Sequence, residues 1–166
     1  MYLAWRGGGA FLKEGVAADP DAEYSYGQIV ESMRRLPAES ARHEHPRVAV
    51  SRSHKSPELA EYIEELRKSH PDLEVVEQGS SYKFCLLAEG AVDYYFRTTS
   101  TYEWDTAAGE LILSEAGGET LSLPDYRPLR YNKTDLVNPW FICCARKMPD
   151  CRPEAERMIG VSSAAD

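Results

Sequence analysis

Residues 47–78 constrain the fold of this chain more than any other stretch. RVAVSRSH (47–54) reads as a strand, with Val48 and Val50 on one face. Ser56 can cap a helix whose first position is Pro57. Leu59, Tyr62, Ile63 and Leu66 follow at i, i+3, i+4 and i+7, which is one helical face. The helix should stop near His70-Pro71, and LEVVEQ (73–78) reads as the next strand. Strand, helix and strand in this order form a βαβ unit, whose strands should be parallel and whose crossover should be right-handed.

The remaining pattern extends that unit. Phe84, Leu87 and Ala88 mark a short helix closed by Gly90, and AVDYYFR (91–97) marks another strand. Trp104, Ala107, Ala108, Leu111 and Ile112 set a third helical stripe, ended by Gly117-Gly118. ETLSLP, PLRYN and PWFICCA read as later strands or a hairpin. MYLAWRGGGAFLKEG resembles a β-hairpin around a triple glycine, and 17–46 reads as a polar loop with one weak helix near 26–35. The expected fold class is α/β: a central mixed, largely parallel sheet flanked by helices. Residues 1–149 should form one domain and 150–166 a flexible tail.

Composition excludes several functions. Apolar residues make up 43% of the 166 and charged residues 28%, enough for a core and unlike a disordered chain. The net charge of −8, without a run of Lys or Arg, argues against a nucleic acid polymer as partner. No stretch approaches the roughly 20 apolar residues that span a bilayer. The N-terminus has no signal-peptide core, so the expected location is cytoplasmic. Cys85, Cys143, Cys144 and Cys151 lack zinc-site spacing and are expected to be reduced thiols. His43 and His45 lie in a polar loop without further ligands.

Ligands of open parallel sheets sit beyond the carboxyl ends of the strands. Ser53 and His54 follow the first strand, Gly79, Ser80, Ser81 and Lys83 the second, and Arg97 ends the third. Asp105 falls in the first turn of the helix after that. These residues would share one rim. Lys83 offers a point charge, Arg97 a bidentate fork, and a helix start free N–H groups, all suited to a phosphate. Asp105 can hold a hard divalent cation such as Mg²⁺. Each also has an ordinary reading. Ser80 or Ser81 can be a plain helix cap, Lys83 a solvated lysine, Asp105 a helix-dipole acid and His54 a turn residue.

VSRSH, GSSYKF, AEGAVDYYFR, EWDTAAGELILSEAGG and LRYNKTDLVNPWFI, in this order over residues 1–145, resemble the C-terminal half of the 3′(2′),5′-bisphosphate nucleotidases. These belong to the inositol monophosphatase superfamily of Mg²⁺-dependent, lithium-inhibited phosphatases. The resemblance implies the C-terminal domain of the inositol monophosphatase-like fold. It implies Asp105 as a metal ligand and catalytic carboxylate. It further implies Ser53, His54, Ser80, Lys83, Arg97 and Asp105 as substrate contacts, with Ala107, Ala108 and Gly109 letting the helix start pack close. The implied substrate is adenosine 3′,5′-bisphosphate, cut to AMP and phosphate, which would place the protein in sulfur metabolism. The family's Asp-Pro-Leu-Asp-Gly-Thr motif is not in this sequence; ADPDAEY (18–24) is the nearest acidic cluster. One carboxylate cannot anchor a two-metal site. The resemblance therefore implies low activity of the chain by itself, and a partner in the form of an N-terminal half or self-association through an open sheet edge. A noncatalytic nucleotide-binding module and an inositol monophosphatase-like sugar phosphatase are the alternative readings.

Overall fold

The computed structural model describes residues 1–17, 23, 25–37, 44–53 and 56–145. The expected tail at 150–166, His43, His54 and Cys151 lie outside the described residues.

Two sheets and four helices make up the described fold. β1 (Tyr2–Trp5), β2 (Gly9–Leu12) and β3 (Arg34–Leu36) form an antiparallel sheet in that order. The short α1 (Tyr26–Glu31) lies between β2 and β3 in the chain. β4 (Arg47–Ser51), α2 (Pro57–Ser69) and β5 (Glu74–Gln78) are the expected βαβ unit, with β4 and β5 paired in parallel. α3 (Tyr82–Glu89), β6 (Tyr94–Arg97), α4 (Glu103–Glu115), β7 (Glu119–Ser122) and β8 (Phe141–Cys144) follow. The second sheet has the order β5-β4-β6-β8-β7. β6 is parallel to β4, and β8 is antiparallel to both β6 and β7. Only β8 thus runs against the other strands, which makes the sheet mixed but largely parallel.

Alternation along the strands divides the core. Val48, Val50, Tyr94, Phe96, Ile142 and Cys144 share one face with Leu59, Tyr62 and Leu66 of α2. Ala49, Tyr95, Phe141 and Cys143 occupy the opposite face with Phe84, Leu87 and Leu113 of α3 and α4. A third cluster joins Ala10, Leu12 and Leu36 of the small sheet to Ala88 of α3 and Ala116. The layers therefore run from α2 through the five-stranded sheet and the α3–α4 layer to the three-stranded sheet.

Local signals explain the helices on either side of the large sheet. The Ser56 hydroxyl accepts the Leu59 N–H at 3.2 Å and Pro57 opens α2, as the sequence suggests. Gly90 closes α3 in the left-handed conformation, φ 73°, where its N–H reaches back to the last turn.

Three expectations need correction. The weak helix near 26–35 stops at Glu31, and Arg34–Leu36 is a strand on the edge of the small sheet. The apolar stripe of α4 is set on the wrong face. Thr106, Gly109 and Leu113 are buried, whereas Ala107 and Ala108 are exposed and Trp104 is 67% exposed. The reason is steric. At Gly109 an added Cβ would lie 2.8 Å from the Cβ, Cγ and Cδ2 atoms of Phe84, so the close approach of α3 and α4 selects the face with the smallest residue. Among the cysteines, Cys85 and Cys143 are free and buried, but Cys144 is disulfide-bonded.

The same contact generates a prediction. Gly109→Ala forces a methyl against the rigid root of Phe84. Overpacking of this kind costs about 1–3 kcal/mol, against about 1 kcal/mol gained from helix propensity. A net loss of stability is expected in urea unfolding; equal or higher stability would show that the helices separate freely.

Candidate functional site

A cavity opens where the N-termini of α3 and α4 meet the carboxyl ends of β4 and β6. It is lined by Ser51, Ser80, Ser81, Lys83, Phe84, Tyr95, Arg97, Ser100, Thr101, Tyr102, Asp105, Thr106 and Phe141. Two helix starts therefore turn their positive dipole ends toward one space.

Four of the six residues singled out from the sequence line this cavity: Ser80, Lys83, Arg97 and Asp105. Ser53 does not; β4 ends at Ser51, and Ser53 lies exposed beyond it, while Ser51 takes the place at the rim. His54 lies outside the described residues.

Lys83 is not a solvated lysine. It is 2% exposed, and its Nζ donates to the carbonyls of Ser80 at 2.7 Å and Gln78 at 3.2 Å. The ammonium also lies 4.8 Å from the centre of the Tyr95 ring. Ser80 itself has φ 58°, and its hydroxyl accepts the Tyr82 N–H at 3.3 Å. Ser81 occupies the cap position without a side-chain hydrogen bond. GSSYK is thus a turn in which Ser80 caps and Lys83 ties the carbonyls from beneath.

Arg97 is 9% exposed and faces the same space. Its Nε donates to the Thr99 carbonyl at 3.2 Å and its Nη2 to the Ser100 carbonyl at 3.4 Å. A guanidinium carries five N–H donors and an ammonium three, so both groups keep donors beyond these carbonyl contacts. Neither cation has a carboxylate partner among the ion pairs of the described residues. Burial, and then the Arg97 charge beside it, lower the Lys83 ammonium to about 8. Burial pushes the Tyr95 hydroxyl well above its ordinary value. The cavity floor therefore carries two positive charges that repel each other and that an anion would reconcile.

Asp105 stands on the other wall, at the third position of α4. Its Oδ2 accepts the Tyr102 N–H at 2.9 Å, which fixes the carboxylate at the helix start. The first turn is held from outside by residues 130–138. Glu103 accepts the Asn132 N–H at 2.8 Å, and the Lys133 N–H at 3.1 Å with its ammonium at 2.6 Å; these contacts hold the Glu103 carboxyl below its usual range. Asn138, 4% exposed, donates to the Tyr102 carbonyl at 2.9 Å and the Thr106 hydroxyl at 3.0 Å. Sequence reasoning missed Thr101, Tyr102, Thr106 and Asn138. The polar run TTSTY directly after a buried strand was the available signal.

Asp105 is the sole carboxylate lining the cavity among the described residues. Among the described residues no group of three or more His, Cys, Asp or Glu side chains could hold a metal ion. The described residues alone do not fit a Mg²⁺ site. They fit an anion, with one acidic group beside it. No helix among them is long and apolar enough to cross a membrane.

Comparison with known proteins agrees with this architecture. Residues 1–147 match the inositol monophosphatase family, and the chain belongs to that family. Within it the similarity runs to the 3′(2′),5′-bisphosphate nucleotidases. The crystal structure of CysQ from Bacteroides thetaiotaomicron superposes with a TM-score of 0.82 at 44% identity, over 89% of this chain and 54% of that one. The 3′(2′),5′-bisphosphate nucleotidase CysQ of Salmonella typhimurium is 42% identical over 103 residues, 58% of this chain and 37% of the relative. An uncharacterized protein of Rhizobium leguminosarum is 57% identical over 70 residues, 39% of this chain and 73% of its own length. The chain thus spans about half of the solved CysQ and little more than a third of the Salmonella enzyme.

Two predictions follow from the charges and the clamp. Lys83 has an ordinary value of 10.5 and lies at about 8 in the fold, so between these the unfolded chain holds more protons. Stability from this group therefore rises with pH across that window. The stability difference between wild type and Lys83→Met should shift toward wild type by ~2 kcal/mol from pH 8 to pH 10, in urea titrations where the cysteines and tyrosines cancel. A flat difference would mean that the ammonium is solvated. Asn138→Ala leaves the Tyr102 carbonyl and the Thr106 hydroxyl without this donor; unfolding should show a loss of about 1–3 kcal/mol.

Proposed function

We propose that this chain forms the substrate-holding part of a phosphomonoesterase acting on the 3′-phosphate of adenosine 3′,5′-bisphosphate, yielding AMP and phosphate. The observation that carries this reading is the pair of buried cations, Lys83 and Arg97, facing the cavity with no carboxylate partner among the described residues. Two unneutralised charges in a buried site are costly unless an anion joins them. A phosphate ester answers that need, and the positive dipole ends of two helices favour it. The named activity of the CysQ relatives supports the bisphosphate nucleotide as the ester.

In this reading Arg97 grips phosphate oxygens, and Lys83 holds the Ser80 turn while contributing charge. Ser80 and Ser81 offer hydroxyl and backbone donors. Asp105 is the acidic group on the opposite wall, the position at which the family resemblance places a metal ligand. One carboxylate does not make the Mg²⁺ site. Hydrolysis would draw on acidic groups other than those that line the cavity among the described residues. Ser53 and His54 are proposed nucleotide contacts on the family resemblance, although Ser53 does not line the cavity.

The test is phosphate release from adenosine 3′,5′-bisphosphate in Mg²⁺, with and without Li⁺, and with inositol monophosphate as competitor. The chain alone should bind the nucleotide without turnover. Addition of the N-terminal half of a CysQ relative should give lithium-sensitive release. Turnover by the chain alone would show that its own residues complete the site. Binding that never converts to release would favour a noncatalytic nucleotide-binding module, and preference for inositol monophosphate would favour a sugar phosphatase.

A further inference from the structure

Tyr102 and Trp104 form a parallel aromatic pair at the rim of the cavity. Their ring centres are 4.6 Å apart and their planes differ by 6°. Tyr102 is 44% exposed and lines the cavity; Trp104 is 67% exposed and belongs to no hydrophobic cluster. Two large rings this open contribute little to the core. Yet the backbone that carries them is held firmly. The Tyr102 N–H donates to Asp105, its carbonyl accepts from Asn138 at 2.9 Å and from the Asp105 N–H at 2.9 Å, and the residue bridges to Val137 across an isolated pair. A fixed flat ring, backed by a second ring and opening on a cavity with buried cations, is suited to another flat ring.

We propose that Tyr102, backed by Trp104, is the stacking platform for the heteroaromatic base of a nucleotide whose phosphate lies against Lys83 and Arg97. This rests on the phosphate-ester reading above and adds to it a subsite that selects esters carrying a base. Stacking reads any base face and needs no hydrogen-bond pattern, so the platform distinguishes nucleotides from sugar phosphates without choosing among bases. It also gives exposed Trp104 a role: its ring keeps Tyr102 from rotating away from the cavity.

The test compares AMP with inorganic phosphate by calorimetry on the intact chain and on Tyr102→Phe, Tyr102→Leu and Tyr102→Ala. Tyr102→Ala and Tyr102→Leu should weaken AMP binding tenfold or more, Tyr102→Phe should leave it within twofold, and phosphate should bind all four proteins alike. AMP affinity unchanged in Tyr102→Ala would overturn the platform while leaving the phosphate site intact. An equal loss in Tyr102→Phe would overturn it too, since the hydroxyl rather than the ring face would then be the contact. Failure of the wild type to bind either ligand would overturn the phosphate-ester reading itself, and the platform with it.

Discussion

The contact of Gly109 with Phe84 determines where everything at the site can be. It lets α4 settle against α3 at a distance that any side chain larger than hydrogen would prevent. Lys83 precedes Phe84 by one residue, and Asp105 precedes Gly109 by one turn. Closing this gap therefore brings the ammonium and the carboxylate to the same cavity from two different helices. Phe84 is itself locked by edge contact with Tyr95 and by stacking with Phe141, both on the face of the large sheet. Packing in the α3–α4 layer is thus a condition for the electrostatics above it.

Those electrostatics are arranged against the stability of the empty protein. Lys83 and Arg97 would each be better solvated outside, and burial followed by the Arg97 charge lowers the tendency of Lys83 to hold its own. Carbonyls of the 78–80 turn and of residues 99–100 compensate in part, as oriented dipoles rather than as charges. Two cations line the cavity of a chain whose overall charge is −8. A local field opposite in sign to the molecule's net charge discriminates by position: an anion gains only if it reaches the pocket.

The βαβ unit was legible because Leu59, Tyr62 and Leu66 repeat at helical spacing between two β-branched runs, and burial follows that repeat. The rim was legible in outline because parallel strands deliver their carboxyl ends to one side. What escaped was burial by polar or minimal residues. Thr106 is buried through hydrogen bonds with Asn138 and Tyr131, and Gly109 through its lack of a side chain, so hydrophobic periodicity selected the opposite face of α4. Arg34–Leu36 escaped because three residues carry no period. Ser53 was placed at the rim by a strand read to residue 54, whereas β4 ends at Ser51. Lys83 was weighed as surface or ligand; its tie to the backbone of its own turn is visible only when the turn is.

The hairpin turn between β1 and β2 closes on the far end of the same helix. The N–H groups of Gly7 and Gly9 donate to the Glu115 carboxylate at 2.7 and 2.9 Å, and both lower its affinity for a proton. α4 is thus fastened at its C-terminus by the small sheet and at its N-terminus by residues 130–138. A helix gripped at both ends by segments distant in sequence cannot fray independently of either. Opening of the cavity floor and detachment of the hairpin become one cooperative event, so the slowest-exchanging amides of α4 and of β2 should belong to a single unfolding unit.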